Sequence, residues 1–167
     1  MAYTLDNTEM IIENIIGKLL GNDDLMKCLG YDHPNALNED SLTDGEKMAL
    51  VSNEEKYLRI LRVPFSSETV ESVRSEIRVF VNEIVPDNIH LADVEIAIEV
   101  VCSNHMRIQR LIDGKSRPNK MVNEILKCLN GQEIQGIGRL YFQRPIRMVR
   151  FNKSYSGYAL LPNIRMG

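Results

Sequence analysis

The strongest chemical signal in the sequence is a basic segment near its C-terminal end. Its cationic residues fall within fifteen positions and are Arg139, Arg144, Arg147, Arg150 and Lys153. The aromatic residues that accompany them are Tyr141, Phe142, Phe151 and Tyr155. Basic and aromatic side chains together can bind single-stranded nucleic acid. Two other interpretations stay open: a solvated connection between strands, and a surface for an acidic partner protein. Pro145 favours an irregular connection over a central strand.

The other candidate residues do not form a recognisable active site. His33, His90 and His105 show no metal-ligand spacing with one another or with a cysteine, which favours surface or loop roles. No nucleophile motif occurs. Gly136-Ile137-Gly138 is too short for a dinucleotide fingerprint, and a strand is expected after it instead of a helix. We therefore expect no enzymatic activity, no metal and no cofactor.

Two glutamates share one face of the clearest predicted strand, Val94–Cys102. Glu95 and Glu99 lie four residues apart, which is roughly 13 Å along a strand. This separation exceeds that of paired catalytic carboxylates. We expect this face to be at most partly covered, with both carboxylates solvated or facing another subunit.

The opposite face of that strand is fully apolar and must pack on another element. A helical pattern over Met121–Asn130 supplies a matching apolar stripe, with Pro118 in its first turn and Gly131 as the residue that ends it. We expect Ile96 and Ile98 to face this helix.

The N-terminal part reads as helical. An apolar stripe at helix spacing consists of Ile11, Ile12, Ile15, Ile16, Leu19 and Leu20. The stripe must be buried on the sheet or on another subunit, which makes Ile12 and Ile16 candidates for an assembly interface. A second short helix is predicted from Asn22 to Gly30, and Thr43-Asp44-Gly45-Glu46 has the spacing of a capping box. Residues 31–42 are expected to form a loop.

Further strands are predicted on either side of this central pair. We expect a strand over Ile77–Ile84 that lies antiparallel to Val94–Cys102. We expect another strand over Gly136–Gln143 and a last one over Ser156–Leu161, before Pro162. The segment from Tyr57 to Val63 is ambiguous between strand and helix end. Residues 66–74 are polar and expected to be a surface connection.

The element order predicts an α+β fold with a mostly antiparallel sheet of four or five strands and helices on one face. We expect a single domain over residues 1–167. Within it, residues 1–52 form an N-terminal helical part and residues 53–167 form a core of sheet and helix.

Composition and charge agree with a globular protein that associates with itself. Of the 167 residues, 44% are hydrophobic and 26% are charged, and no apolar run approaches the roughly 18 residues of a membrane span. The N-terminus shows no secretory signal, so the three cysteines are expected to be free thiols.

Residues 1–90 hold 17 Asp/Glu and 8 Lys/Arg, a net charge of −9, whereas residues 91–167 hold 6 Asp/Glu and 12 Lys/Arg, a net charge of +6. The opposite net charges of the two halves favour contacts between copies of the chain.

Seven segments carry motifs that point to one family: Asn22–Leu29, Tyr31-Asp32, Val94–Cys102, Asp113–Arg117, Met121–Asn130, Gly136–Leu140 and Gly157–Leu160. Together they resemble the neck proteins of tailed bacteriophages. The resemblance covers residues 22–32 and 75–161. Residues 34–74 match no known pattern.

The resemblance implies a tail terminator or tail-completion protein, a small α+β domain that assembles as a ring, usually a hexamer. The ring would cap the tail tube and join it to the head-side connector, and DNA would pass through its lumen without specific binding. The protein would lie in the virion, and in the host cytoplasm during assembly, with no membrane partner. The candidate assembly residues are Arg139, Arg144, Arg147, Arg150, Lys153, Glu95, Glu99, Ile12 and Ile16. The alternative is a small nucleic-acid-binding regulator that uses Arg144–Lys153.

Overall fold

A computed structural model describes residues 5–66, 72–88 and 90–166 of the chain. The helices are α1 (Leu5–Leu20), α2 (Asp23–Gly30), α3 (Asp44–Ala49), α4 (Met106–Gln109) and α5 (Arg117–Leu129), with a 3-10 turn at Ala36–Asn38. The strands are β1 (Ile60–Leu61), β2 (Ser75–Pro86), β3 (Ala92–Ser103), β4 (Glu133–Ile134), β5 (Gly138–Arg139), β6 (Arg147–Arg150), β7 (Tyr155–Leu160) and β8 (Asn163–Met166). Part of the predicted 66–74 connection lies outside the described residues.

The main sheet has six strands in the order β1-β2-β3-β7-β6, and β8 pairs with β3 beyond the end of β7. The β1–β2 pair is parallel and the other pairs are antiparallel, so the sheet is mixed. The predicted α+β class with N-terminal helices is confirmed. The strand count exceeds the predicted four or five because β6 and β8 join this sheet, although the predicted strand Gly136–Gln143 does not.

Strand β3 is central because both of its edges are occupied, by β2 on one side and by β7 and β8 on the other. Its apolar face lies in the core formed with α1, α2 and α5, and Ile96 and Ile98 are fully buried there. The predicted strand and its packing on the helical side are confirmed.

The opposite face of the sheet is more covered than the sequence indicated. Ala97, Val101 and Glu95 are buried on β3. Phe65 belongs to an aromatic cluster there, with ring centroids 5.2 Å from Phe151 and 5.6 Å from Tyr155. The expectation of an at most partly covered face was therefore wrong, because an aromatic cluster contributed by distant segments lies beside this face.

The helices begin and end where local sequence signals placed them. Asn22 accepts a hydrogen bond from the Leu25 N–H as the N-cap of α2, and Ser116 caps α5 in the same way. Thr43 and Glu46 form the predicted capping box of α3. These ends are fixed by hydrogen bonds between near neighbours, which sequence spacing reveals directly.

Two predictions near the C-terminus need correction. Gly136–Gln143 is not one strand, since only Gly138–Arg139 is extended, and it forms a separate hairpin with β4. A Cβ at Gly138 would lie 2.8 Å from the Arg165 carbonyl oxygen, so the predicted close backbone approach is present. The segment 144–153 is not wholly irregular, because Arg147–Arg150 forms β6. Pro145 precedes this strand and so interrupts none of its hydrogen bonds.

Candidate assembly surface

The basic segment contains an edge strand. Strand β6 lies at the end of the sheet and pairs only with β7 among the described strands. Arg147 and Arg150 are both exposed, and neither forms an ion pair within the described part of the chain. Three positions separate them, so they project from opposite faces of the strand, Arg147 away from the helices and Arg150 on the helical side.

Arg144 contacts a carboxylate of its own chain. Its Nε lies 2.8 Å from Oε2 of Glu95, and the Asn82 side chain donates to Oε1 of the same glutamate at 2.6 Å. Glu95 is buried, and its carboxylate is balanced within the chain by the ion pair with Arg144 and the hydrogen bond from Asn82. The expectation that Glu95 faces solvent or a second subunit was therefore wrong.

Glu99 also takes its contacts from within the chain. Its Oε2 accepts a hydrogen bond from the Phe65 N–H at 3.0 Å. Burial raises the pKa of this carboxyl, against the opposing effects of the Phe65 N–H and the Arg78 guanidinium. Glu99 therefore anchors the segment that covers the second face of the sheet, and it does not form a solvated stripe with Glu95.

The remaining cations of the segment lie on other elements. Arg139 is exposed on the separate hairpin, opposite Glu133. Lys153 lies exposed between β6 and β7, where its carbonyl accepts a hydrogen bond from the Asn104 side chain. The basic residues are therefore distributed over a hairpin, a strand edge and a turn.

The aromatic residues of the segment mostly pack inside the chain. Phe151 and Tyr155 contact Phe65, and Phe142 packs against the core. Of the four, Tyr141 has an exposed side chain. Stacking of successive bases needs several accessible rings. The basic segment therefore supports the binding of single-stranded nucleic acid less well than its sequence indicated.

Ile12 and Ile16 lie in the core of the single chain. Both are buried with the rest of the apolar stripe of α1, which packs on α5 and β2. The stripe is covered by the chain itself, so these two side chains are not available to a second subunit.

A buried arginine was missed by sequence reasoning. Arg117 is 0% exposed at the start of α5. Its Nε donates to the Ile108 carbonyl at 2.7 Å, and its two terminal nitrogens donate to the carbonyls of Cys28, Tyr31 and His33 at 2.6, 2.8 and 2.6 Å. The guanidinium thus joins the end of α2 and the following loop to α5. No local pattern marks it, because a cation in the first turn of a helix is usually exposed.

A second buried cluster lies on β2, where Glu76 stands between Arg74 and Arg78. Its carboxylate oxygens lie 2.6 Å and 2.9 Å from the two guanidinium groups. The Arg78 guanidinium also lies 5.3 Å from the Phe65 ring centroid and donates to the Pro64 carbonyl. The alternation Arg-x-Glu-x-Arg was the available signal, since it places all three on one strand face.

The three cysteines are free thiols, and two of them are deeply buried. Cys28, Cys102 and Cys128 are free, as predicted. Burial raises the pKa of Cys28 to about 11 and also raises that of Cys102, so both are protonated at neutral pH. Within the described ranges, no group of three or more His, Cys, Asp or Glu could hold a metal ion, and no helix is long and apolar enough to cross a membrane.

Comparison with protein families places the chain among bacteriophage-derived proteins. The matching family model is YomW, and it covers residues 22–164, so the chain belongs to the YomW family. A search of curated proteins found no match. The phage origin implied by the sequence motifs is confirmed, whereas the place of the protein in the neck is a matter of proposal.

Proposed function

We propose that this chain is a structural protein of the phage neck, a tail terminator or tail-completion protein. Copies of it form a ring, with six as the expected number, that caps the tail tube and contacts the head-side connector. The observation that carries the proposal is the edge strand β6, whose outer side and two arginines have no strand or ion-pair partner among the described residues, in a chain of a phage-derived family. An open edge with fixed charges is a surface for another protein chain.

The contacts of the buried ionisable groups support a structural role over a catalytic one. Glu99 holds the Phe65 N–H, Glu76 holds Arg74 and Arg78, and Arg117 holds four backbone carbonyls. Each of these groups is engaged in holding segments of the chain together. In the proposed assembly, DNA passes through the lumen without base-specific contacts, and the protein resides in the virion after assembly in the host cytoplasm.

The proposal is tested by the size of the particle and by its binding to tails. Sedimentation velocity on the purified protein should show a species of several times the 19.1 kDa chain mass, six times if the ring is a hexamer. Electron microscopy of tails mixed with the protein should show added density at the head-proximal end. A monomer at all concentrations, together with bare tail ends, would contradict the proposal.

The alternative, a nucleic-acid-binding regulator, draws on the exposed side chains of Arg147, Arg150 and Lys153. It predicts binding to single-stranded DNA or RNA that weakens steeply as salt is raised. The same sedimentation experiment with a labelled oligonucleotide distinguishes the two functions. Co-sedimentation of the oligonucleotide with a chain that stays monomeric would favour the regulator.

A further inference from the structure

We propose that copies of this chain join head to tail by pairing β6 of one copy with the open half of β2, residues 82–86, of the next. This inference deepens the ring proposal and rests on it.

The second half of β2 has an unoccupied edge among the described residues. Strand β1 pairs only with Ile77 and Arg78, near the start of β2. After the irregularity between Val81 and Glu83, the described partner of β2 is β3 alone. Val85 is 51% exposed at this edge. Residues 82–86 therefore form a second open edge, long enough to match the four residues of β6.

The backbone of β6 directs hydrogen-bonding groups outward that have no strand partner among the described residues. The Phe151 N–H donates to the Tyr155 carbonyl across the hairpin. Because hydrogen-bonding direction alternates along an antiparallel strand, Val149 and Arg147 face β7, whereas Met148 and Arg150 face away from it. Met148 is also 75% exposed. The outer edge of β6 can therefore accept another strand.

The two open edges lie on opposite sides of β3 and near its opposite ends. Strand β6 is connected to β3 through β7, because Arg147 pairs with Ala159 and Ala159 pairs with Glu99 of β3. On the other side of β3, Glu83 of β2 pairs with Glu95. A contact between two different surfaces can continue from copy to copy, and it closes into a ring when the rotation allows.

Strand direction also suits a continuous sheet. Strands β2 and β3, β3 and β7, and β7 and β6 are successive antiparallel pairs, so β6 runs antiparallel to β2. A second copy in the same orientation therefore presents its β2 antiparallel to β6 of the first. The helices of both copies then lie on the same side of the joined sheet.

Charge favours this contact over a two-fold one. Strand β6 carries Arg147 and Arg150, and the open half of β2 carries Glu83; none of the three forms an ion pair within the described residues. Pairing β6 with β6, or β2 with β2, would bring like charges together, which is unfavourable. Head-to-tail pairing with Arg147 opposite Glu83 places these two charges together on the face away from the helices, and it makes Ile84 a diagonal neighbour of Met148 on the helical face.

Charges on an edge strand can also serve to prevent pairing. The two roles predict opposite results when a charge is reversed. If the charges only protect the edges, the variants associate more strongly than the wild type. If the charges select the contact, the variants associate less.

The first experiment measures association by sedimentation velocity at low salt for wild type, Arg147→Glu, Glu83→Arg and the double variant with both changes. Each single change should weaken association about tenfold or more, and the double variant should recover it, because the opposite charges then face each other again. Lys153→Glu reverses a charge in the neighbouring turn, off the strand edge, and should assemble as the wild type does.

The second experiment tests the backbone contact independently of charge. Met148→Pro removes an outward N–H without removing a bond to β7, and edge strands tolerate proline in this position. The variant should keep the wild-type circular dichroism spectrum and lose assembly, whereas Met148→Ala retains the N–H and should assemble.

The outcomes separate this inference from the ring proposal. A wild type that sediments as a monomer at every concentration overturns both. A wild type that forms rings, with Arg147→Glu, Glu83→Arg and Met148→Pro all assembling as well or better, leaves the ring intact and overturns the strand pairing. Weakened single variants without recovery in the double variant also overturn the proposed Arg147–Glu83 contact.

Discussion

Replacement of Arg117 by methionine should strongly destabilise the protein. The guanidinium donates four hydrogen bonds to backbone carbonyls of two segments, residues 28–33 and residue 108, and so joins both to the start of α5. Methionine fills much of the same volume but donates none of these bonds. The carbonyls would then be buried without their charged donor.

The expected size of the effect follows from these four contacts. A buried acceptor that loses its partner costs about 1–3 kcal/mol. Removing a buried charge offsets part of this loss, because the folded state no longer has to desolvate the guanidinium. We expect a net loss of about 3–5 kcal/mol in the free energy of unfolding, which is a large part of the roughly 5–15 kcal/mol of a typical domain.

Urea denaturation followed by circular dichroism measures this loss. Lys115→Met is a matched control, because its exposed side chain lies two residues away, and it should change the free energy of unfolding by less than about 0.5 kcal/mol. Arg117→Lys should be intermediate, since an ammonium has three donors for four carbonyls. A loss below about 1 kcal/mol in Arg117→Met would refute the role assigned to these bonds.

Two further predictions concern the core and the acidic side of α5. Ile98→Ala should lower the free energy of unfolding by roughly 2–5 kcal/mol, because Ile98 is fully buried beneath the helices; an unchanged denaturation midpoint would contradict this placement. Burial raises the pKa of Glu124, but hydrogen bonds from Lys120, Lys127 and Asn22 outweigh it and lower the pKa to about 2. Its stabilising contribution is therefore complete above pH 4.5 and is lost as the pH falls toward 2, so the stability difference between wild type and Glu124→Gln should shrink over this range. A difference that stays constant with pH would show that the carboxylate does not act through these bonds.

The elements that sequence reasoning placed well are those whose signals are local. Helix α5 has its cap Ser116, its proline and its terminal Gly131 within sixteen residues, and α2 has Asn22 at one end and Gly30 at the other. The alternation along β3 spans the whole strand. Neighbouring residues determine such elements through capping and one-sided burial, so their spacing is enough to predict them.

The elements that sequence reasoning missed depend on distant partners. Strand β8 was not predicted, and it exists because it pairs with β3 beyond Pro162. Strand β1 lies in the segment that the sequence left ambiguous, and its two residues are a strand because they pair with β2. The same holds for the candidate site. Glu95 lies 49 positions from Arg144, and only the folded sheet shows that the two pair and that Arg147 does not. Which charged side chains form ion pairs within the chain therefore depends on how the strands are arranged in the sheet.

The opposite charges of the two halves predicted contacts between copies, and the fold decides which charges can make them. Lys120 pairs with Asp24 and Arg165 with Asp87, so some acids of the first half already meet bases of the second within one chain. Few charges are left at the open strand edges, and each exposed pair contributes only about 0–1 kcal/mol. Charge alone would not hold a ring of such subunits together. In the proposed contact, the backbone hydrogen bonds of the paired edges and the burial of Met148 would supply most of the affinity, while Arg147 and Glu83 would select the head-to-tail arrangement.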